Sequence, residues 1–342
     1  MKMNRRVELP LTAPMYSTFN NQGPAVAIAV NNPTAKNRYL NQVMILTCKR
    51  SFLHGYSSPD IFVADSGWYH NEYIEKHWVS AKFVGGYLNP IIRNMIDNGY
   101  YVAYNDVDDY YVKGKSWYHK HHFGHDGLIC GYDQSDKTYC IYAYDSNWIY
   151  QKFWTPQSAF QRGRIAVEKQ GRYSNICAIS MSDAPIAFSP VTVCEKLREY
   201  LDSDLKKYPF DGEGDVYGIV VHTYLAKYMA MLYCGEIPYE RTDTRIFRLI
   251  WEHKKIMHER LELLEKTLDL KDHVSRKYEP LVKEADTIRL LYAAHCLKRR
   301  DAVLPLIEKK LLNMENTERA LLNEALNNAE RAIDGQERSI EK

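Results

Sequence analysis

The sequence predicts an α+β protein with an antiparallel sheet in roughly its first 187 residues and a helical carboxy-terminal subdomain thereafter. Two observations carry this. Up to about residue 185 the chain is rich in Tyr, Trp, Gly and Asn and holds short alternating segments. Such alternation puts apolar side chains on one face of a strand. After residue 188 apolar residues recur instead with the 3.6-residue period of amphipathic helices, in long runs. The length of 342 residues exceeds the usual ~100–150 of one domain, which favours two units, 1–187 and 188–342. No low-complexity linker separates them, so the helical part is expected to pack on the α+β part.

Taken in order, PAVAIAV at 24–30 predicts a helix with Pro24 in its first turn, and NRYLNQVMILTCKRSFL at 37–53 has helical spacing. YYVAY at 100–104 predicts a strand. GLICGYD at 127–133 and YCIYAYD at 139–145, joined by the polar turn QSDKT, predict a β-hairpin. RIAVEK at 164–169 and NICAISM at 175–181 predict a second strand pair around QGRYS. The helical part reads as VTVCEKLREYL, DVYGIVVHTYLAKYMAMLY, TRIFRLIWEHKKIMHERLELLEKTL and the stretch from Val274 to Ala332.

Composition excludes several classes. With 45% hydrophobic and 26% charged residues the chain is not grossly disordered. A net charge of +2, from 45 basic and 43 acidic residues mixed along the chain, provides no field to gather nucleic acid. No apolar run approaches the ~20 residues of a membrane span, and the start MKMNRRVELP lacks a signal peptide's apolar core, so no membrane partner and a cytoplasmic location are expected. Seven scattered cysteines without a CxxC pair predict reduced thiols.

The densest chemistry lies in HKHHFGHDGLICGYDQSDKTYCIYAYDSNW, residues 119–148. His125 enters one strand of the predicted hairpin and Asp145 ends the other. Opposed side chains of paired strands approach within ~4.5–5.5 Å at Cβ, so the carboxylate can orient the imidazole as a general base. The pattern Gly-His, five mostly apolar residues, Gly-Tyr-Asp resembles that of bacterial papain-like domains. These include the peptidase domains of bacteriocin-processing transporters and the amino-terminal domain family of butirosin biosynthesis protein H. The interval 145 − 125 = 20 is longer than in the transporter peptidases. The helical second half is shared with the butirosin-type proteins alone.

This resemblance implies a papain-like cysteine-protease fold with a catalytic first domain. It further implies an acyltransferase that moves an acyl group from a carrier-protein thioester, through a cysteine acyl-enzyme, to an amine such as a polyamine in natural-product biosynthesis. The implied partners are an acyl or peptidyl carrier protein and an amine. No cofactor is implied beyond the carrier's phosphopantetheine. The same triad with a peptide donor would make a peptidase or amidase, and a chain without turnover would be a carrier-binding protein.

Papain-like folds place the nucleophilic Cys at a helix start ahead of the His, where the dipole lowers its pKa. Here that place is NNQGPAVAIAV, which has no Cys. Ala27 is the first candidate for a Cys-to-Ala replacement, with Gln22 five residues before it as the implied oxyanion-hole donor. Ala25 is the second, and both alanines also fit as natural small residues packing a helix. Cys48 precedes His125 as the fold requires, but on the predicted helix it lies on an apolar face and reads as an inert core thiol.

His119, His121 and His122 do not converge with His125 if they lie on a strand, so no metal site is expected. Trp117, Tyr118, Trp148 and Trp154 suit either an aromatic substrate cleft or the core. Trp251, His253, His258 and Arg260 fit a solvated helix face or a grip on an acidic carrier and its phosphate.

Overall fold

The computed structural model of the protein describes residues 5–19, 32–55, 57–67, 69, 71–203 and 215–340. Among these the strands, in chain order, are β1 (Arg6–Glu8), β2 (Leu46–Lys49), β3 (Ile61–Val63), β4 (Ile74–Ser80), β5 (Tyr101–Asp108), β6 (Gly124–Asp133), β7 (Thr138–Tyr144), β8 (Tyr150–Pro156), β9 (Asn175–Met181) and β10 (Asp215–Tyr217). The chain divides into two compact units, one of residues 1–35 and 67–185, the other of residues 36–66 and 186–342. Where residues 1–187 were expected as one continuous unit, residues 36–66 group with 186–342.

The first unit is built on an antiparallel sheet ordered β4-β9-β5-β6-β7-β8, with β1 paired to the far end of β6. The alternation in the sequence produces it. Val102, Tyr104, Ile129, Ile141 and Ile176 form a buried core with Leu88, Ile92 and Ile96 of the helix Leu88–Asp97 and Phe160 of the helix Gln157–Lys169. In the Gly-Tyr-Asp end of the motif, Gly131 is required by close approach: a Cβ there would lie 2.5 Å from the Val7 carbonyl oxygen of β1. The segment 164–169, expected as a strand, is the last part of the helix Gln157–Lys169. Its buried residues Ala159, Phe160, Gly163, Arg164 and Val167 recur at three and four, a period that six residues of RIAVEK were too few to reveal.

The second unit combines a small sheet, β10-β2-β3, with the helices Lys36–Gln42, Pro190–Asp202, Val221–Tyr233, Arg245–Leu268, Val274–Lys298 and Leu304–Ile340. The helix expected over 37–53 stops at Gln42 and gives way to β2 and a 3₁₀ turn, Arg50–His54. Two causes act there. The side chain of Arg260, fully buried, donates to the carbonyls of Tyr39, Leu40 and Val43, taking up helix-end acceptors that a further turn would use. The following Ile45-Leu46-Thr47 favours extended backbone. Among the described residues no helix is long and apolar enough to cross a membrane.

Candidate active site

His125 lies near the start of β6, in register with Val107 of β5. Asp109 opens the turn that follows the end of β5 at Asp108. The Nδ1 of His125 meets Oδ2 of Asp109 at 2.5 Å. The neutral ring therefore donates from Nδ1 and leaves Nε2 as an acceptor, and Nε2 makes no hydrogen bond to any described residue. The carboxylate side chain is 3% exposed and the imidazole 28%, so a sheltered anion orients a reachable base.

The pairing expected between His125 and Asp145 is not made. Asp145 ends its strand in a turn, where Oδ1 accepts from the N–H groups of Asn147 and Ile149 at 2.8 and 2.9 Å and Oδ2 accepts from Gln151 at 2.6 Å. Burial works to raise the pKa of this carboxyl, but the hydrogen bonds from Ile149, Gln151 and Asn147 outweigh it and hold it below the usual carboxylate range. Asp145 is thus a turn anchor. Asp109 was legible as an alternative, because a His entering a central strand has a neighbour on each side, here β5 as well as β7.

A second His–Asp pair flanks the first. Asp108 is the last residue of β5; its Oδ1 caps the N–H groups of Tyr110 and Phe123 at 3.1 Å, and its Oδ2 meets Nδ1 of His122 at 2.7 Å. The His122 ring stacks on Tyr110 at 4.2 Å. Residues 109–123 are loop and not strand, so His119, His121 and His122 obey no strand alternation. The Phe123 ring sits 4.5 Å from that of His125. Trp117 and Trp148 meet edge to face at 6.3 Å, and Trp148 is exposed, which departs from the core reading for that pair. Trp154 carries Arg6 over its ring.

Other charges complete the surroundings. Lys115, buried, lies 3.7 Å from Oδ1 of Asp109. Burial lowers the pKa of its ammonium, with Asp109 opposing. Asp126 and Asp106 are both raised, chiefly by burial, although Arg172 pairs with Asp106.

Ala27, Ala25 and Gln22 lie outside the described residues. Cys48 is in β2 of the second unit, fully buried, its thiol pushed up to about 12 by burial and by Asp215 and Asp60. That suits an inert thiol, though on a strand and not on the helix expected. In the first unit Cys130, Cys140 and Cys177 are buried in strands as well. Neither reading of the Arg245–Leu268 segment holds for His253 and Arg260, which are fully buried and cannot grip a partner. Trp251 carries Lys255 over its ring at 3.6 Å. No protein-family model matches the sequence, and no curated protein matches it significantly.

Proposed function

We propose that the chain has the framework of a papain-like, thiol-dependent acyltransferase in which His125 is the general base and Asp109 its orienting carboxylate. The observation that carries this is the sheltered Asp109 on Nδ1 of a partly exposed His125 whose Nε2 engages no described residue. A base held by one nitrogen and open at the other is the arrangement that takes a proton from a nucleophile and later from an acceptor. In the proposed reaction a thiolate attacks the thioester carbonyl of a carrier-bound acyl group and expels the carrier thiol. An amine then attacks the acyl-enzyme, loses its proton to His125, and leaves as the amide while the thiol is regenerated. Gln22 and the N–H of residue 27 are the proposed oxyanion donors. The carrier and the amine rest on the resemblance of the Gly-His to Gly-Tyr-Asp segment.

The sequence itself favours a second reading, a carrier-binding protein without turnover. Its first cysteine is Cys48, a buried strand residue, and the segment NNQGPAVAIAV has alanine where the nucleophile would stand. One experiment separates the two. Ala27→Cys is incubated with acyl-loaded carrier proteins, with and without a polyamine, and followed by intact-protein mass spectrometry. An acyl adduct that disappears with the amine supports the transferase, and loss equally fast in buffer points to a hydrolase. Absence of adduct in both Ala27→Cys and Ala25→Cys, with retained carrier binding, supports the non-enzymatic reading.

A further inference from the structure

We propose that Lys115 is a positioning residue of the His125–Asp109 pair, clamping Asp109 from the side opposite the imidazole and supplying the positive charge that balances its carboxylate. The inference deepens the reading of His125 as a general base and rests on it. The two carboxylate oxygens divide the work: Oδ2 faces Nδ1 of His125 at 2.5 Å and Oδ1 faces Nζ of Lys115 at 3.7 Å. The longer separation is that of an ion pair and not of a hydrogen bond. A carboxylate sheltered this far from water would be costly if His125 were its only partner, because a neutral imidazole brings no charge. Lys115 brings one.

The local backbone is built to put it there. Gly114 adopts φ 103°, a conformation that side chains rarely allow, and a Cβ on it would lie 2.5 Å from the ring of Phe153. The turn closes by the Lys115 N–H donating to Val112 and the Tyr118 N–H donating to Lys115. The lysine side chain is 3% exposed, so it does not reach a substrate and acts through Asp109. Asp126 also acts electrostatically on Lys115 and on His125, while Asp106 acts on His125 and is itself paired with Arg172. Lys115 is therefore a buried cation between two carboxylates, Asp109 and Asp126, and Asp109 is the one it pairs with.

The test reads the pair directly and needs no acyl donor, so it stands whether or not acyl transfer is observed. In the full chain, long-range ¹H–¹⁵N NMR at neutral pH reports which imidazole nitrogen carries the proton and whether the Nδ1–H resonance lies downfield and is slow to exchange. The wild type is expected to show one tautomer, protonated at Nδ1. Lys115→Met is expected to lose the downfield resonance and mix the tautomers while the remaining amide spectrum stays folded, and Lys115→Arg is expected to restore both signals. A folded Lys115→Met with the wild-type His125 signature overturns the proposal, as does a folded Lys115→Arg that fails to restore it. If Lys115→Met does not fold, the wild-type Lys115 Nζ decides: a protonated ammonium whose resonance shifts in Asp109→Asn upholds the clamp, and a neutral amine or an unmoved resonance overturns it.

Discussion

Asp108 and Asp109 show how one residue step at the end of a strand separates two chemistries. Each takes a histidine, but Asp108 also spends an oxygen on two backbone N–H groups, while Asp109 keeps both oxygens for Lys115 and His125. Asp145 is spent more completely still, on Asn147, Ile149 and Gln151. The two carboxylates near His125 should therefore respond differently to substitution. In an Ala27→Cys background, Asp109→Asn is expected to slow acylation by about 10²–10⁴-fold, through loss of the orienting anion. Asp145→Ala is expected to leave that rate within a few-fold and to lower stability by about 1–2 kcal/mol through loss of the turn. Single-turnover acylation and urea unfolding measure the two effects, and a reversed ranking would restore Asp145 as the orienter.

At the scale of elements, five helices of the second unit converge on one buried charge network. Glu318 of Leu304–Ile340 accepts from Lys254 at 2.6 and 2.7 Å, from Tyr200 at 3.1 Å and from Tyr278, with His222 Nε2 3.7 Å away. His222 donates from Nδ1 to the Ile219 carbonyl at 2.8 Å and stays uncharged, its pKa brought down to about 4 by burial and by Lys254. Burial works to raise the pKa of Glu318, but the charge and hydrogen bond of Lys254 lead the opposing causes that bring it down to about 2. Both groups act with the same sign. Below the ordinary His value of 6.5 the unfolded chain takes a proton that folded His222 refuses until about pH 4, and below 4.5 it takes one that folded Glu318 refuses until about pH 2. Stability should fall steadily as the pH drops from 6.5. Calorimetry is expected to show a melting temperature several degrees lower at pH 5 than at pH 7, with a shallower dependence in His222→Gln; a flat profile would contradict it. None of this network was legible in the sequence. VVHTYL and WEHKKIMH show His and Lys on helices, but which helix faces another is decided by tertiary packing. Four strands were legible because alternation is local: YYVAY, GLICGYD, YCIYAYD and NICAISM fall on strands of the main sheet. His125 was legible for the same reason. Its partner was legible only as one of two, because each neighbouring strand ends near a carboxylate, and the deciding fact is that the DSNW turn claims Asp145.

At the scale of the whole chain, the feature with the widest consequence is the assignment of residues 36–66 to the unit otherwise formed by 186–342. Among the described residues, β2 and β3 supply two of the three strands of that unit's sheet, and β10 pairs with β2. Arg260 spends its guanidinium on the carbonyls of Tyr39, Leu40 and Val43, and His253 donates from Nε2 to the Met44 carbonyl at 2.8 Å. Asn41 adds two further ties, donating to Ala187 at 2.8 Å and accepting from the Ser189 N–H at 3.0 Å, at the entrance to the helix Pro190–Asp202. A fragment of residues 186–342 alone therefore strips a buried arginine and a buried histidine of their hydrogen bonds to the carbonyls of residues 39–44. A buried charge stripped of its partners costs about 3–5 kcal/mol, a large share of the ~5–15 kcal/mol that stabilises an ordinary domain. That fragment is expected to keep much of its helix signal by circular dichroism but to melt without a cooperative transition. A peptide of residues 36–66, linked to it or added in excess, is expected to restore cooperativity, and Arg260→Met in the linked form should weaken the effect of the peptide. Cooperative melting of 186–342 by itself would show that the helices hold their own core and that the interleaved segment only decorates it.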